Sequence, residues 1–151
     1  MSKKELVVSA IKNGTVIDHI PSEKLFQVIR ALNLMNCDNQ VLMGNNLTSS
    51  KINKKGIIKC RDKFFEKDEI NKIALIAPNA TLITIKDYNV VEKFKIEIPD
   101  TISGMVNCYN PKCITNNEAI TQRFNVINKK DIMLQCHYCQ KITKKETISF
   151  L

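Results

Sequence analysis

The sequence predicts an α+β protein in two parts: an N-terminal ferredoxin-like α/β sandwich over residues 1–99 and a small all-β module over residues 100–151. Three observations carry that prediction. Before Pro99, strand-like and helix-like segments follow in the order strand, strand, helix, strand, strand, helix, strand, strand, close to the split βαβ arrangement. After Pro99, helix signals largely vanish and short apolar stretches replace them. Four of the six cysteines also fall in this last third.

Taken in order, residues 5–20 read as two paired strands, LVVSAI and TVIDHI, joined through Lys12-Asn13-Gly14. Asn and Gly both tolerate positive φ, the requirement of a tight hairpin turn. Pro21-Ser22 stops the second strand, and Ser22 is placed to cap a helix whose Leu25, Phe26, Ile29 and Leu32 share one face. Residues 40–46 (QVLMGNN) read as a strand, 48–56 as a polar loop, and Gly56-Ile57-Ile58-Lys59 as the start of another strand. Asp68-Glu69 opens a second helix carrying Ile70, Ile73, Ala74 and Ala77, and Pro78 ends it. Residues 81–86 and 88–98 alternate as strands up to Pro99. In the second part, apolar stretches at residues 105–107, 124–127, 132–134 and 147–151 surround the cysteine pairs.

Composition removes several classes of function. With 4 Gly, 4 Pro and no G-x-G-x-x-G or G-x-x-x-x-G-K-[ST], the chain has no Gly-rich phosphate cradle, so any nucleotide must be held another way. No apolar run approaches the ~18 residues of a membrane helix, and the N-terminus carries no secretory core, which points to the reducing cytoplasm and away from membranes. The net charge of +8 divides as +5 before Asp100 and +3 from there on. Twenty of the 23 cations are Lys, so the forked guanidinium that reads base edges in nucleic acids is scarce.

Cys108 and Cys113 are followed, after 22 residues, by Cys136 and Cys139. Two close pairs, each on a tight turn, can converge their thiolates on a tetrahedral zinc ion. Four thiolates saturate the metal, which makes it structural, and leave His137 to face solvent or a partner. Disulfides are the alternative, but the missing signal peptide argues against an oxidising compartment. A segment of about 50 residues has little core of its own, so a metal staple in a zinc-ribbon or rubredoxin-like module is physically reasonable. Cys37 and Cys60 stand apart and read as small buried hydrophobes.

The run AIKNGTVIDHIP at residues 10–21, with KKGIIK at 54–59, APNAT at 77–81, YNVVEK at 88–93 and CYNPKCI at 108–114, resembles the regulatory chain of aspartate carbamoyltransferase essentially end to end. The resemblance implies a nucleotide-binding allosteric domain followed by a zinc domain that docks on a catalytic chain, with no catalysis by this chain. It implies regulatory dimers, three of them bridging two catalytic trimers, inhibition by CTP with UTP, and activation by ATP at the same pocket. It assigns Asp18 to the ribose hydroxyls, Lys59 and Lys93 to phosphate and the 2′-hydroxyl region, and the backbone of Ala10 and Ile11 to the base edge. Tyr88 and Val90 would line the sugar and base wall, with His19 and Lys55 nearer the polyphosphate.

Three positions depart from the family pattern: Ser9 replaces an acid, Ile83 an amide, and Lys112 an amide that contacts the catalytic chain. They bear on the ranking of CTP, UTP and ATP and on docking contacts. The rival readings are a zinc-ribbon nucleic-acid binder and a small zinc or cysteine enzyme. Scarce Arg, interleaved acids and the lack of any basic run longer than two residues oppose the first. A saturated metal and the absence of a Cys–His pairing outside the quartet oppose the second.

Overall fold

The computed structural model describes residues 9–151, which divide into two compact units, one reaching Glu97 and one spanning Ile98–Leu151. The first unit contains β1 (Gly14–Pro21), α1 (Leu25–Ala31), β2 (Val41–Thr48), β3 (Lys54–Arg61), α2 (Lys67–Ile76), β4 (Thr81–Lys86) and β5 (Asn89–Lys95). Its five strands form an antiparallel sheet in the order β2-β3-β1-β4-β5, the split βαβ arrangement with one further hairpin strand. One face of the sheet is closed: Gly56 lies under α1 so tightly that a Cβ there would come 2.9 Å from Leu25 Cδ1. Ile17, Ile20, Leu25, Val28, Ile58 and Ile73 are fully buried and make that side the core.

The expected hairpin across Asn13-Gly14 does not form. Both edges of β1 are occupied, by β3 on one side and β4 on the other, which leaves no edge for a strand at residues 9–13. Residues 6–8 of that expected strand lie outside the described residues. Asn13 is instead a junction: its carbonyl accepts from Asp62 N at 2.8 Å, and its Oδ1 accepts from Asp87 N at 3.0 Å. Gly14 at φ 139° is required because a Cβ would sit 2.0 Å from the Cys60 carbonyl oxygen.

Ser22 does not cap α1 either. It begins a 3-10 turn (Ser22–Lys24), and Lys24 occupies the N-cap without a side-chain hydrogen bond. α2 starts with a capping box in which Glu66 and Glu69 satisfy each other's backbone N–H groups.

The second unit is all-β apart from short 3-10 turns. β6 (Thr101–Ser103), β7 (Arg123–Asn128), β8 (Met133–Cys136) and β9 (Ile142–Lys144) form one antiparallel sheet in sequence order. Ile102, Val106, Phe124, Ile132 and Leu134 form its small core.

Candidate functional sites

The four clustered cysteines come together in the second unit with every sulfur within 4.8 Å of the others. Cys108 and Cys139 are 3.6 Å apart, Cys113 and Cys136 3.7 Å. A tetrahedron with metal–sulfur bonds of about 2.3 Å has edges of about 3.8 Å, so two edges already match and the remaining separations, none above 4.8 Å, need at most a small closure to hold zinc. Asparagines hold the first turn: Asn116 Nδ2 donates to the carbonyls of Cys108 (2.9 Å) and Asn110 (2.7 Å), and Asn117 Nδ2 to that of Cys113 (2.8 Å). The second turn closes through Gln140 N donating to the Cys136 carbonyl at 3.0 Å, with Gln140 at φ 64°.

Burial pushes the Cys108 and Cys136 thiols up, so without a cation they stay protonated. A bound divalent ion reverses that balance and holds all four as thiolates. His137 stays out of the cluster, exposed and edge-on to Tyr138 at 5.0 Å between centroids.

The second candidate site is the sheet face of the first unit opposite α1. Strand register aligns Leu42 (β2), Lys59 (β3), Val16 (β1), Ile83 (β4) and Lys93 (β5) in one row across all five strands. Cross-strand partners share a face, so this row joins two cations to an aliphatic floor. Ile11 extends the floor by packing with Val16 and Ile85. Along β3, alternation adds Lys55, Ile57 and Arg61 to the same face.

One end of this face is polar. Asp18 Oδ1 accepts from His19 N at 2.6 Å and pairs with Lys55 Nζ at 2.9 Å, the two side chains being 16% and 19% exposed. A register shift in β1 coincides with His19 at φ 59°, and His19 Nδ1 lies 3.1 Å from Thr81 Oγ1. Burial opposes ionisation of Asp18, but the Lys55 and His19 hydrogen bonds outweigh it and hold the carboxyl below the usual range. Burial pushes the His19 imidazole down, and the positive charges of Lys55, Lys51 and Lys93 add to this against Asp18. Burial likewise lowers Lys59, with Asp18 opposing, and Lys59 Nζ donates to the Ser9 carbonyl at 3.0 Å.

At the other end lies a cleft of about 180 Å³ between residues 9–12, Gln40, Leu42, Arg61 and Tyr88. Tyr88, at φ 66° in the β4–β5 turn, is exposed, and its N–H is fixed by the Lys12 carbonyl at 2.9 Å.

Ala10, Ile11 and Tyr88 therefore share the cleft, while Asp18, His19 and Lys55 form the polar end. Lys59 lies between the two on β3, and Lys93 lies in its row and within electrostatic range of His19. Val90 is exposed on β5 beside Ile85 and stands outside the cleft lining.

Sequence reasoning missed Lys12, Gln40, Leu42, Arg61 and Thr81. Alternation with Lys55 and Lys59 could have flagged Arg61; Gln40 and Leu42 need the strand order, which the sequence does not display.

No helix among the described residues is long and apolar enough to cross a membrane. The cysteine cluster is the one grouping of three or more potential metal-ligating side chains found there, and four thiolates leave a metal no open position. Fold and sites together define a two-module protein whose second module carries a four-cysteine site for a structural metal.

The sequence matches the family described as aspartate carbamoyltransferase regulatory chain, allosteric domain, over residues 6–97, and the metal binding domain of the same chain over residues 100–149. It is 51% identical over 150 residues to the regulatory chain of Phocaeicola vulgatus, covering 99% of this chain and 97% of that one. With that of Parabacteroides distasonis the identity is 53% (97% and 95% covered), and with that of Pyrococcus abyssi 50% (95% and 96%). The chain belongs to the aspartate carbamoyltransferase regulatory chain family: it is a non-catalytic subunit whose partner is the catalytic chain.

Proposed function

We propose that the open sheet face of the first unit binds CTP and UTP as inhibitors and ATP as activator, competitively and at one site, in the cytoplasm. The second unit, stapled by zinc, docks on the catalytic chain. The chains pair as dimers, and three dimers bridge two catalytic trimers. The observation that carries this reading is the union, on one face, of a cleft with an exposed tyrosine and a polar end containing Lys55 and His19, with the Lys59 cation between them.

A base and sugar need an apolar floor and polar edges, and a polyphosphate needs cations, so the two ends suit the two halves of a nucleotide. Asp18 is held ionised and suits the ribose hydroxyls. Nucleotides shift the holoenzyme between states of low and high substrate affinity only by binding those states unequally, so CTP and ATP favour opposite states.

The test is aspartate saturation of the cognate catalytic trimer alone, with the zinc-loaded chain, and then with CTP or ATP. Sigmoidal curves shifted in opposite directions by the two nucleotides are expected. Unchanged curves with no co-sedimenting complex would overturn the reading.

A further inference from the structure

The nucleotide reading leaves two charged side chains of the cleft without a role, Lys12 and Arg61, and Arg61 is the one oriented by a side-chain hydrogen bond, to Gln40. It stands at the end of β3, two residues beyond Lys59 and six beyond Lys55. Arg61 pairs with Gly14, four residues from Asp18 on β1, so at about 3.3–3.4 Å per residue roughly 13 Å of strand separates it from the Asp18 end of the Lys55–Asp18 pair. A polyphosphate held near Lys55 and His19 therefore directs the base toward Arg61 and Tyr88.

The Arg61 backbone is fixed on both sides: its N–H donates to the Gln40 carbonyl at 2.9 Å, and its carbonyl accepts from Asn39 Nδ2 at 3.1 Å. Its Nη1 donates to Gln40 Oε1 at 3.3 Å, which orients the guanidinium, and Nε lies 3.9 Å from Asp62 Oδ2. The side chain is nonetheless 54% exposed, with donors left over for a ligand.

The cleft is poor in side-chain acceptors. Its lining contains no Asp or Glu, and Gln40 Oε1 is engaged by Arg61. The Lys12 carbonyl takes Tyr88 N–H, and the Ser9 carbonyl takes Lys59. Such a surface favours a ligand edge that accepts hydrogen bonds.

We infer that Arg61, oriented by Gln40, is a specificity-determining residue that selects nucleotides whose base carries a ring carbonyl oxygen over adenine nucleotides. This inference rests on the nucleotide reading above. Cytosine, uracil and hypoxanthine all carry such an oxygen; adenine carries an amino group and ring nitrogens only. A guanidinium donates more strongly to a carbonyl oxygen than to the ring nitrogens of adenine, and it has nothing with which to accept from the amine.

The experiment is equilibrium binding of CTP, UTP, ITP and ATP to the full zinc-loaded chain, for wild type, Arg61→Met, Arg61→Lys and Lys59→Met. ITP and ATP share every phosphate and the sugar, so their difference isolates the base edge. Wild type binds CTP, UTP and ITP about tenfold more tightly than ATP, the scale of one charge-assisted hydrogen bond. R61M loses about tenfold for those three and less than about twofold for ATP, and R61K loses the same preference while keeping the charge. K59M weakens all four alike.

A uniform loss in R61M would make Arg61 a phosphate ligand and overturn the inference, as would an unchanged R61M profile. Failure of the wild-type chain to bind any of the four would overturn the nucleotide reading itself.

Discussion

Removal of the metal should change the accessibility of the six cysteines in three steps. The second unit has 54 residues, and at ~0.05–0.15 kcal/mol per residue its net stability is about 3–8 kcal/mol. Structural zinc contributes about 10–16 kcal/mol at pH 7, more than that whole margin, so chelation should unfold this unit. The first unit holds no ligand of the cluster and should stay folded. Cys60 is fully buried there, and burial, with Cys37 nearby, pushes its thiol up to about 12. At pH 8 its thiolate fraction is about one part in ten thousand, so it resists alkylation while the unit is intact.

Iodoacetamide followed by mass spectrometry reads the outcome. Zinc-loaded chain should take one label, at the half-buried Cys37; chelated chain five, adding Cys108, Cys113, Cys136 and Cys139; and denatured chain six. Sedimentation with catalytic trimers should be lost at the second step. A count that stays at one after chelation would show that the metal does not hold the second unit together. Labelling of Cys60 in step with the other five would show that the two units do not unfold independently.

Gly14→Ala forces a Cβ to within 2.0 Å of the Cys60 carbonyl at φ 139°, a backbone clash that should cost about 3 kcal/mol or more. A melting temperature within about 2 °C of wild type would contradict it. Phe124→Ala, in the small core of the second unit, should cost about 3–5 kcal/mol and expose the metal cysteines to alkylation while Cys60 stays protected. Asp18 has its folded pKa depressed, so its contribution to stability is present above the unfolded value near 3.8 and lost as pH falls through the lower folded value. Asp18→Asn should therefore flatten the stability profile below about pH 4 and cost about 1 kcal/mol at pH 7 after solvent screening, measured by urea unfolding across pH. An unaltered acid limb would show that the Lys55 pair does not perturb this carboxyl.

The metal centre was legible because its spacing is local: each tight turn brings two thiolates together within a few residues, and only the approach of the turns needs the fold. The helices and most strands were legible from periodicity. Asn13-Gly14 misled because turn chemistry is short-ranged, whereas the competition for the edges of β1 is settled by residues 40 to 70 positions away. Ser22 misled for a related reason, since the chain enters α1 through a 3-10 turn and the cap falls two residues later, at Lys24. The nucleotide residues were named through resemblance, while the row Leu42–Lys59–Val16–Ile83–Lys93 exists only once the strand order is known.

That row also bears on how an effector would be received. The cations at and beside the polar end are already engaged: Lys55 holds Asp18, and Lys59 donates to the Ser9 carbonyl. A polyphosphate must share or displace these bonds, so its affinity is the difference between two sets of charge-assisted contacts. Displacing Lys55 from Asp18 would also leave that carboxyl to the His19 N–H and to a ribose hydroxyl, which couples phosphate capture to sugar capture through one residue. His19, held neutral by burial and by the surrounding lysines, gains a proton more readily once phosphate charge offsets them. Binding routed through this end should therefore tighten as pH falls from 8 toward 6, and the dependence should vanish in His19→Gln; a pH-independent affinity in the wild-type chain would remove His19 from the polyphosphate end.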